Sequence, residues 1–243
     1  MTGAHAPDPE LRLARYDWSQ VNADLDRDGV AVLPGLLATA ECSGLAALYE
    51  EAEPSTFRSR IVMSRHGFGQ GEYKYFAYPL PALVAQLRTA LYVRLVATAN
   101  RWNELLGTGV RYPASHAEYL ERCHAAGQTR PTPLLLRYGA GDYNCLHQDL
   151  YGTHAFPLQV VILLSASGEE FEGGELVLTE QRPRMQSRPT VVPLGRGDAA
   201  VFAVNHRPVH GARGIYRVAM RHGVSRIRRG TRSTVGLIFH DAT

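Results

Sequence analysis

The first half of the chain repeats apolar positions with a helical period. In LLATAECSGLAALYEEAE (36–53) apolar side chains recur at helical spacing and the stretch ends on acidic, solvated positions. PALVAQLRTALYVRLVATANRWNELLG (81–107) extends the pattern, with Pro81 early and Gly107 just past its end. PASHAEYLERCHAAG (113–127) predicts a third helix, opened by a Ser/Glu pair and closed by Gly127. Between the first two, SRHGFGQGEYKYFAYP (64–79) is rich in Gly and aromatics and has neither helical nor strand period. It reads as a loop or a lid.

After Gly127 the pattern changes. Short β-branched or apolar runs follow: TPLLLRY (132–138), PLQVVILLSA (157–166), GELVLTE (174–180), TVVPL (190–194), AAVFAV (199–204), IYRVAM (215–220) and STVGLIF (233–239). Gly, Pro, Asp and Asn clusters separate them, a spacing that predicts a barrel or jelly roll. The expectation is one α+β domain over 1–243, mainly β at its centre. A helical N-terminal support (1–127) would pack on a double-stranded β-helix core (128–243).

Composition changes this picture little. Apolar content of 45% and charged content of 20% are those of a soluble globular protein. The longest apolar run, LQVVILLSA (158–166), is too short to cross a bilayer. The opening MTGAHAPDPE has no basic stretch followed by an apolar one, so no secretory leader is expected. Cys42, Cys123 and Cys145 form no C-x-x-C pair and read as reduced thiols of a cytoplasmic protein without a membrane partner.

Charge is more informative. The net charge is +3, yet residues 182–232 hold twelve arginines and one acid, Asp198. That asymmetry suits an anionic ligand or a phosphate backbone. Lys74 is the only lysine among 26 basic residues, a bias typical of a GC-rich genome, so the clustering carries more than the residue type.

The chemistry concentrates in YNCLHQDLYGTH (143–154). His147 and Asp149 are two apart, so on an extended strand both face one side. A second histidine would complete a two-His, one-carboxylate iron site with open positions opposite. The candidates are His206, His210, His222 and His240. Ten residues after His222 stands Arg232, with Thr234 two beyond on the same strand face. A guanidinium grips a carboxylate with two parallel hydrogen bonds, and a hydroxyl adds a third. His222 is therefore the choice, with His210 in reserve. Asp142 and Asn144 read as turn residues, His154 as a packing or solvent-facing residue, and Gly173 and Gly174 as a hairpin turn. RPRMQSR reads as a solvated hairpin as readily as a nucleic-acid contact. His66, Tyr73 and Tyr75 are candidates to line a substrate opening.

Taken together, LLLRYGAGDYNCLHQD, FEGGELVLTE, GRGDAAVF and HGVSRIRRGTRST resemble the iron(II)/2-oxoglutarate-dependent oxygenases, notably their prolyl 4-hydroxylase-like branch. Tyr138 stands nine residues before His147, as that family's tyrosine does, and Gly173, Gly174 and Glu175 match its Gly-Gly-Glu pair. NHRPVHGARGIYRVAMR (205–221) departs from the pattern as an insertion. With HGFGQGEYKYFAYPLP and EQRPRMQSR included, the chain is similar to a bacterial oxygenase family described as acting on damaged DNA in the manner of AlkB-type enzymes. The resemblance implies Fe(II) on His147, Asp149 and His222. It implies 2-oxoglutarate with its far carboxylate on Arg232, helped by Tyr138 and Thr234, and dioxygen as co-reactant. The implied reaction couples decarboxylation of 2-oxoglutarate to C–H hydroxylation, extending to oxidative demethylation of alkylated nucleic acid. Asp149 points away from halogenation, in which that position is vacated. The competing readings are a hydroxylase of a small molecule, amino acid or peptidyl side chain, and a β-barrel binding protein with a degenerate metal site.

Overall fold

The computed structural model describes residues 9–212 and 214–243. The first eight residues, on which most of the leader expectation rests, lie outside that range. Helices α1 (Pro9–Ala14) and α2 (Trp18–Asp28) lead into β1 (Val30–Leu33) and α3 (Thr39–Glu51). Then come β2 (Phe57–Val62), β3 (Gly69–Gln70), β4 (Glu72–Phe76), α4 (Ala82–Leu105) and α5 (His116–Ala125). The remainder is strand: β5 (Leu134–Tyr138), β6 (Tyr143–His147), β7 (Leu158–Leu163), β8 (Phe171–Gly173), β9 (Leu176–Gln181) and β10 (Arg188–Val192). The last five are β11 (Ala199–Ala203), β12 (His206–Gly211), β13 (Gly214–Val224), β14 (Ile227–Gly230) and β15 (Arg232–Leu237).

The result is mixed α+β with antiparallel sheets and N-terminal helices. A seven-stranded sheet runs β1-β11-β7-β15-β5-β4-β2, and a six-stranded sheet runs β10-β9-β13-β6-β3 with β12 added on β13. A short β14-β8 pair completes the set. All seven apolar runs became strands, and the three periodic segments became α3, α4 and α5.

The N-terminal half is not purely a helical support. β1 extends the large sheet by pairing with β11, and β4 pairs with both β2 and β5. The segment 64–79 contains β3 and β4, so strand pairing fixes 69–70 and 72–76 as part of a wall. β2 and β4 carry little apolar alternation because they are half-polar strands whose charges are satisfied laterally. Arg60 pairs with Glu72, and Lys74 donates to the Tyr49 carbonyl at 2.5 Å. Helix α2 adds an element the apolar periodicity does not predict; Asp17 accepts from the Ser19 and Gln20 N–H groups and Gly29 closes it at φ 73°. Conversely, Ser115 sits at the N-cap of α5 but makes no side-chain cap bond.

Helix α4, unlike the 158–166 run, is long and apolar enough by composition to cross a bilayer. Here it is a core helix. Leu87, Leu91, Leu95 and Trp102 are buried, and so is Arg88. Arg88 pairs with the fully buried Asp241 at 2.8 Å and donates to the Ile238 carbonyl, tying α4 to the chain after β15. Tyr78 also donates to Asp241, at 2.9 Å.

Two buried histidines beside this pin give the fold a pH dependence. Desolvation pushes both His116 and His240 down to about 4. The unfolded chain takes up these protons near pH 6.5, whereas the folded protein refuses them until near pH 4. Stability therefore falls as pH drops through that window, by up to about 2.7 kcal/mol per pH unit for the two groups. Urea midpoints measured from pH 7 to 4 should decline steeply; a flat profile would contradict the assignment.

Candidate active site

Strand β6 ends on His147, and Asp149 lies just beyond it, so the local strand geometry holds for the histidine but not for the acid. Strand β13 carries His222, whose register partner is His147. Facing residues in an antiparallel pair bring their side chains together, and the two imidazole centroids are 4.2 Å apart. Asp149 closes the triangle: His147 Nε2 is 3.4 Å from Oδ1 and His222 Nε2 is 3.3 Å from Oδ2. The candidate ligand atoms of all three residues lie within 4.8 Å of one another.

Hydrogen bonds orient these groups. His147 Nδ1 donates to the Cys145 carbonyl at 2.7 Å, which turns Nε2 toward Asp149. Gln148, between the two ligands, donates to Asn205 Oδ1 at 2.9 Å and to the Met220 carbonyl at 2.7 Å, pinning the loop to β13. Desolvation works against ionised Asp149, but the two imidazoles outweigh it and hold the carboxyl well below its usual range. Burial lowers His222; for His147 the same effect is overcome by Asp149, which raises it.

Tyr151 was not singled out in the sequence, although it stands two residues past Asp149. Its hydroxyl donates to Asp149 Oδ1 at 2.8 Å and is 3.3 Å from the Tyr75 hydroxyl. Outer partners of this kind are worth about 10- to 100-fold in metal affinity. Tyr151→Phe should therefore weaken Mn(II) binding by about tenfold with little change in melting temperature, as read by calorimetric titration. Unchanged affinity would reduce Tyr151 to packing.

The triad opens into a cavity of about 320 Å³ lined from both large sheets. On its wall lie Arg232, Thr234 and Tyr138, all buried. Arg232 and Tyr138 are register partners on β15 and β5, and the guanidinium carbon is 5.8 Å from the Tyr138 ring centroid. Burial pushes Arg232 down to about 10, and among the described residues no carboxylate pairs with it. Glu175 acts on it only at longer range, and a buried cation with no anion in contact is costly unless one joins it. Gly174 makes room for this side chain: an added Cβ would lie 2.8 Å from Arg232 Cδ and collide with Ile227. The glycine pair thus serves close approach as well as turning.

Other sequence expectations sort clearly. Tyr73 and Tyr75 line the cavity; His66 is not among its lining residues but stacks on Phe68, which is. Asn144 is a strand residue that donates to the Tyr138 hydroxyl at 3.3 Å, not a turn residue. Asp142 does act in a turn, accepting from the Gly139 N–H. The 205–221 segment is the β12–β13 hairpin; His210 is exposed on it, outside the cluster that His222 joins. Gln159, 3.5 Å from His222 Nε2 with its amide oxygen unpartnered, had no signal in the sequence.

Two imidazoles and one buried carboxylate fit a divalent iron site, and the unpaired Arg232 fits the far carboxylate of a diacid. The fold and triad define a 2-oxoglutarate–Fe(II) oxygenase. Solved structures of this class share the fold. A Pseudomonas putida prolyl-4-hydroxylase superposes with a TM-score of 0.54 at 14% identity, covering 93% of this chain and 100% of that one. A 2OG-Fe(II) oxygenase-family oxidoreductase from Burkholderia pseudomallei gives 0.53 at 18% identity over 94% of each chain. The chain belongs to the Oxygenase-NA family, described as oxygenases catalysing oxidative methylation of damaged DNA, whose model matches residues 71–242. It is also 50% identical over 167 residues to the Mycobacterium tuberculosis protein Rv2227, covering 69% of this chain and 72% of that protein.

Proposed function

We propose that this oxygenase hydroxylates an N-alkyl group on a nucleobase, releasing the carbon as an aldehyde. The observation that carries the reading is the charge inventory of the cavity. Among its lining residues the only carboxylate is Asp149 and the only guanidinium is Arg232. If both serve metal and cosubstrate, no fixed charge remains for the ammonium and carboxylate of a free amino acid. A flat, neutral or delocalised group among Tyr73, Tyr75 and Phe68 suits such walls. The family description supports damaged DNA as the kind of substrate.

In this reading the two large sheets are the halves of a double-stranded β-helix. His147, Asp149 and His222 hold Fe(II), while Arg232, Thr234 and Tyr138 hold the far carboxylate of 2-oxoglutarate. The bound pair supplies oxidative decarboxylation by dioxygen, yielding succinate and carbon dioxide and hydroxylating a C–H bond. The chain's own contribution is placement. Tyr151 and Gln148 keep Asp149 and His147 oriented, and Phe202, Val161 and Leu136 exclude water around them. Hydroxylation of an N-methyl group leaves an N-hydroxymethyl group, which collapses to formaldehyde and the free base nitrogen.

The test pairs succinate and formaldehyde detection on N-methylated single-stranded DNA with an unmethylated strand. Matching, methyl-dependent release of both is expected. Succinate without formaldehyde, stimulated instead by an amino acid or peptide, would transfer the enzyme to the hydroxylase reading.

A further inference from the structure

The six-stranded sheet, β12 included, contains one carboxylate, Glu180. It is buried and held by Arg182, Arg188 and the buried Arg207. Side chains alternate along a strand, and β13 follows the rule. Val218, Met220 and His222 are buried on the inner face, whereas Arg217 and Arg221 are exposed on the outer one. Register extends that outer face sideways, with His206 opposite Ala219 and Thr179 opposite Arg221. Neither Arg217 nor Arg221 pairs with a carboxylate among the described residues. The strands therefore put cations and no carboxylate on the outer face.

This face leads to the cavity. Strand β6 lies beside β13, and Gly223 lets the two approach closely, since a Cβ there would lie 2.7 Å from the Asn144 carbonyl oxygen. Cys145 and Leu146 on β6 are exposed and line the cavity. Arg217 and Arg221 are four residues apart on one strand, about 13 Å at strand rise. By contrast, Arg196 and Arg229 pair with Glu170 and Glu172, and Arg182, Arg188 and Arg207 share Glu180.

We propose that the outer face of this sheet is a backbone track for single-stranded nucleic acid. Arg217 and Arg221 hold phosphates there, and the strand crosses β6 to present its base to the cavity. The proposal rests on the nucleic-acid reading above and locates its contacts. Each phosphate contact to a single strand contributes about 0.7 to the log–log salt slope.

The experiment is fluorescence anisotropy of a labelled oligo(dT) strand against salt, using the full chain. Arg217→Ala/Arg221→Ala should lower the slope by about 1.4 and weaken binding roughly 25-fold at 0.1 M salt. Arg196→Ala, which removes an already neutralised charge, should keep the wild-type slope. Equal melting temperature and Mn(II) affinity show that the double variant is folded. If the double variant keeps the wild-type slope, the track is overturned, while DNA-dependent formaldehyde release would leave the nucleic-acid reading standing. If the wild type ignores oligo(dT) but binds polyglutamate through the same two arginines, the face belongs to an acidic protein and the track is overturned. Binding to neither polymer overturns it as well.

Discussion

Asp149→Ala should abolish succinate formation and lower Mn(II) affinity by more than about 100-fold, beyond what loss of an outer partner costs. The reason lies in how the triangle is built. Both imidazoles face the same carboxylate at 3.3–3.4 Å, one on each oxygen, and Asp149 is their shared anionic partner. Without it, two neutral nitrogens remain to hold a dication next to desolvating walls. Tyr151 loses its acceptor at the same time. Titration with Mn(II) and succinate detection with 2-oxoglutarate are the two readouts. Full activity in this variant would remove the triad assignment altogether.

Arg232→Met separates function from stability. The apparent KM for 2-oxoglutarate should rise roughly 30-fold to several thousandfold, matching the 2–5 kcal/mol lost when a buried charge pair loses one member. The ligand-free protein should hold or raise its melting temperature, because a buried guanidinium with no carboxylate in contact is replaced by an apolar side chain that fills similar space. Calorimetric melting with and without 2-oxoglutarate distinguishes the effects: wild type gains stability from the diacid, the variant does not. A variant that melts far lower and still saturates normally would show that Arg232 is a structural cation.

Both expectations began as short spacings in the chain. Arg232 and Thr234 share a strand face, and the local argument survived because β15 is a regular strand. The seven apolar runs and three helical segments were legible for the same reason: their periodicity is the imprint of one buried face. Asp149 obeyed the spacing rule less well, since β6 stops at His147 and side-chain anchors such as Tyr151 and Gln148 set the acid's direction. Half-polar strands like β2 and β4 left no imprint, because their polar groups are satisfied by neighbours distant in sequence.

Read alone, the chain determined the residue types of the site, the offset from His222 to Arg232, and a strongly basic segment at 182–232. The offset to Arg232 already singled out His222; the tertiary structure supplied the reason it reaches His147, since β13 pairs in register with β6 across 75 residues. It also decided what the arginines are for. Glu170, Glu172 and Glu180 lie outside the basic segment, yet folding brings them onto five of its cations, buries Arg232 in the cavity, and leaves Arg217 and Arg221 outward. A charge's role follows from its distance to counter-charge and from its burial, and neither quantity is a property of position along the chain.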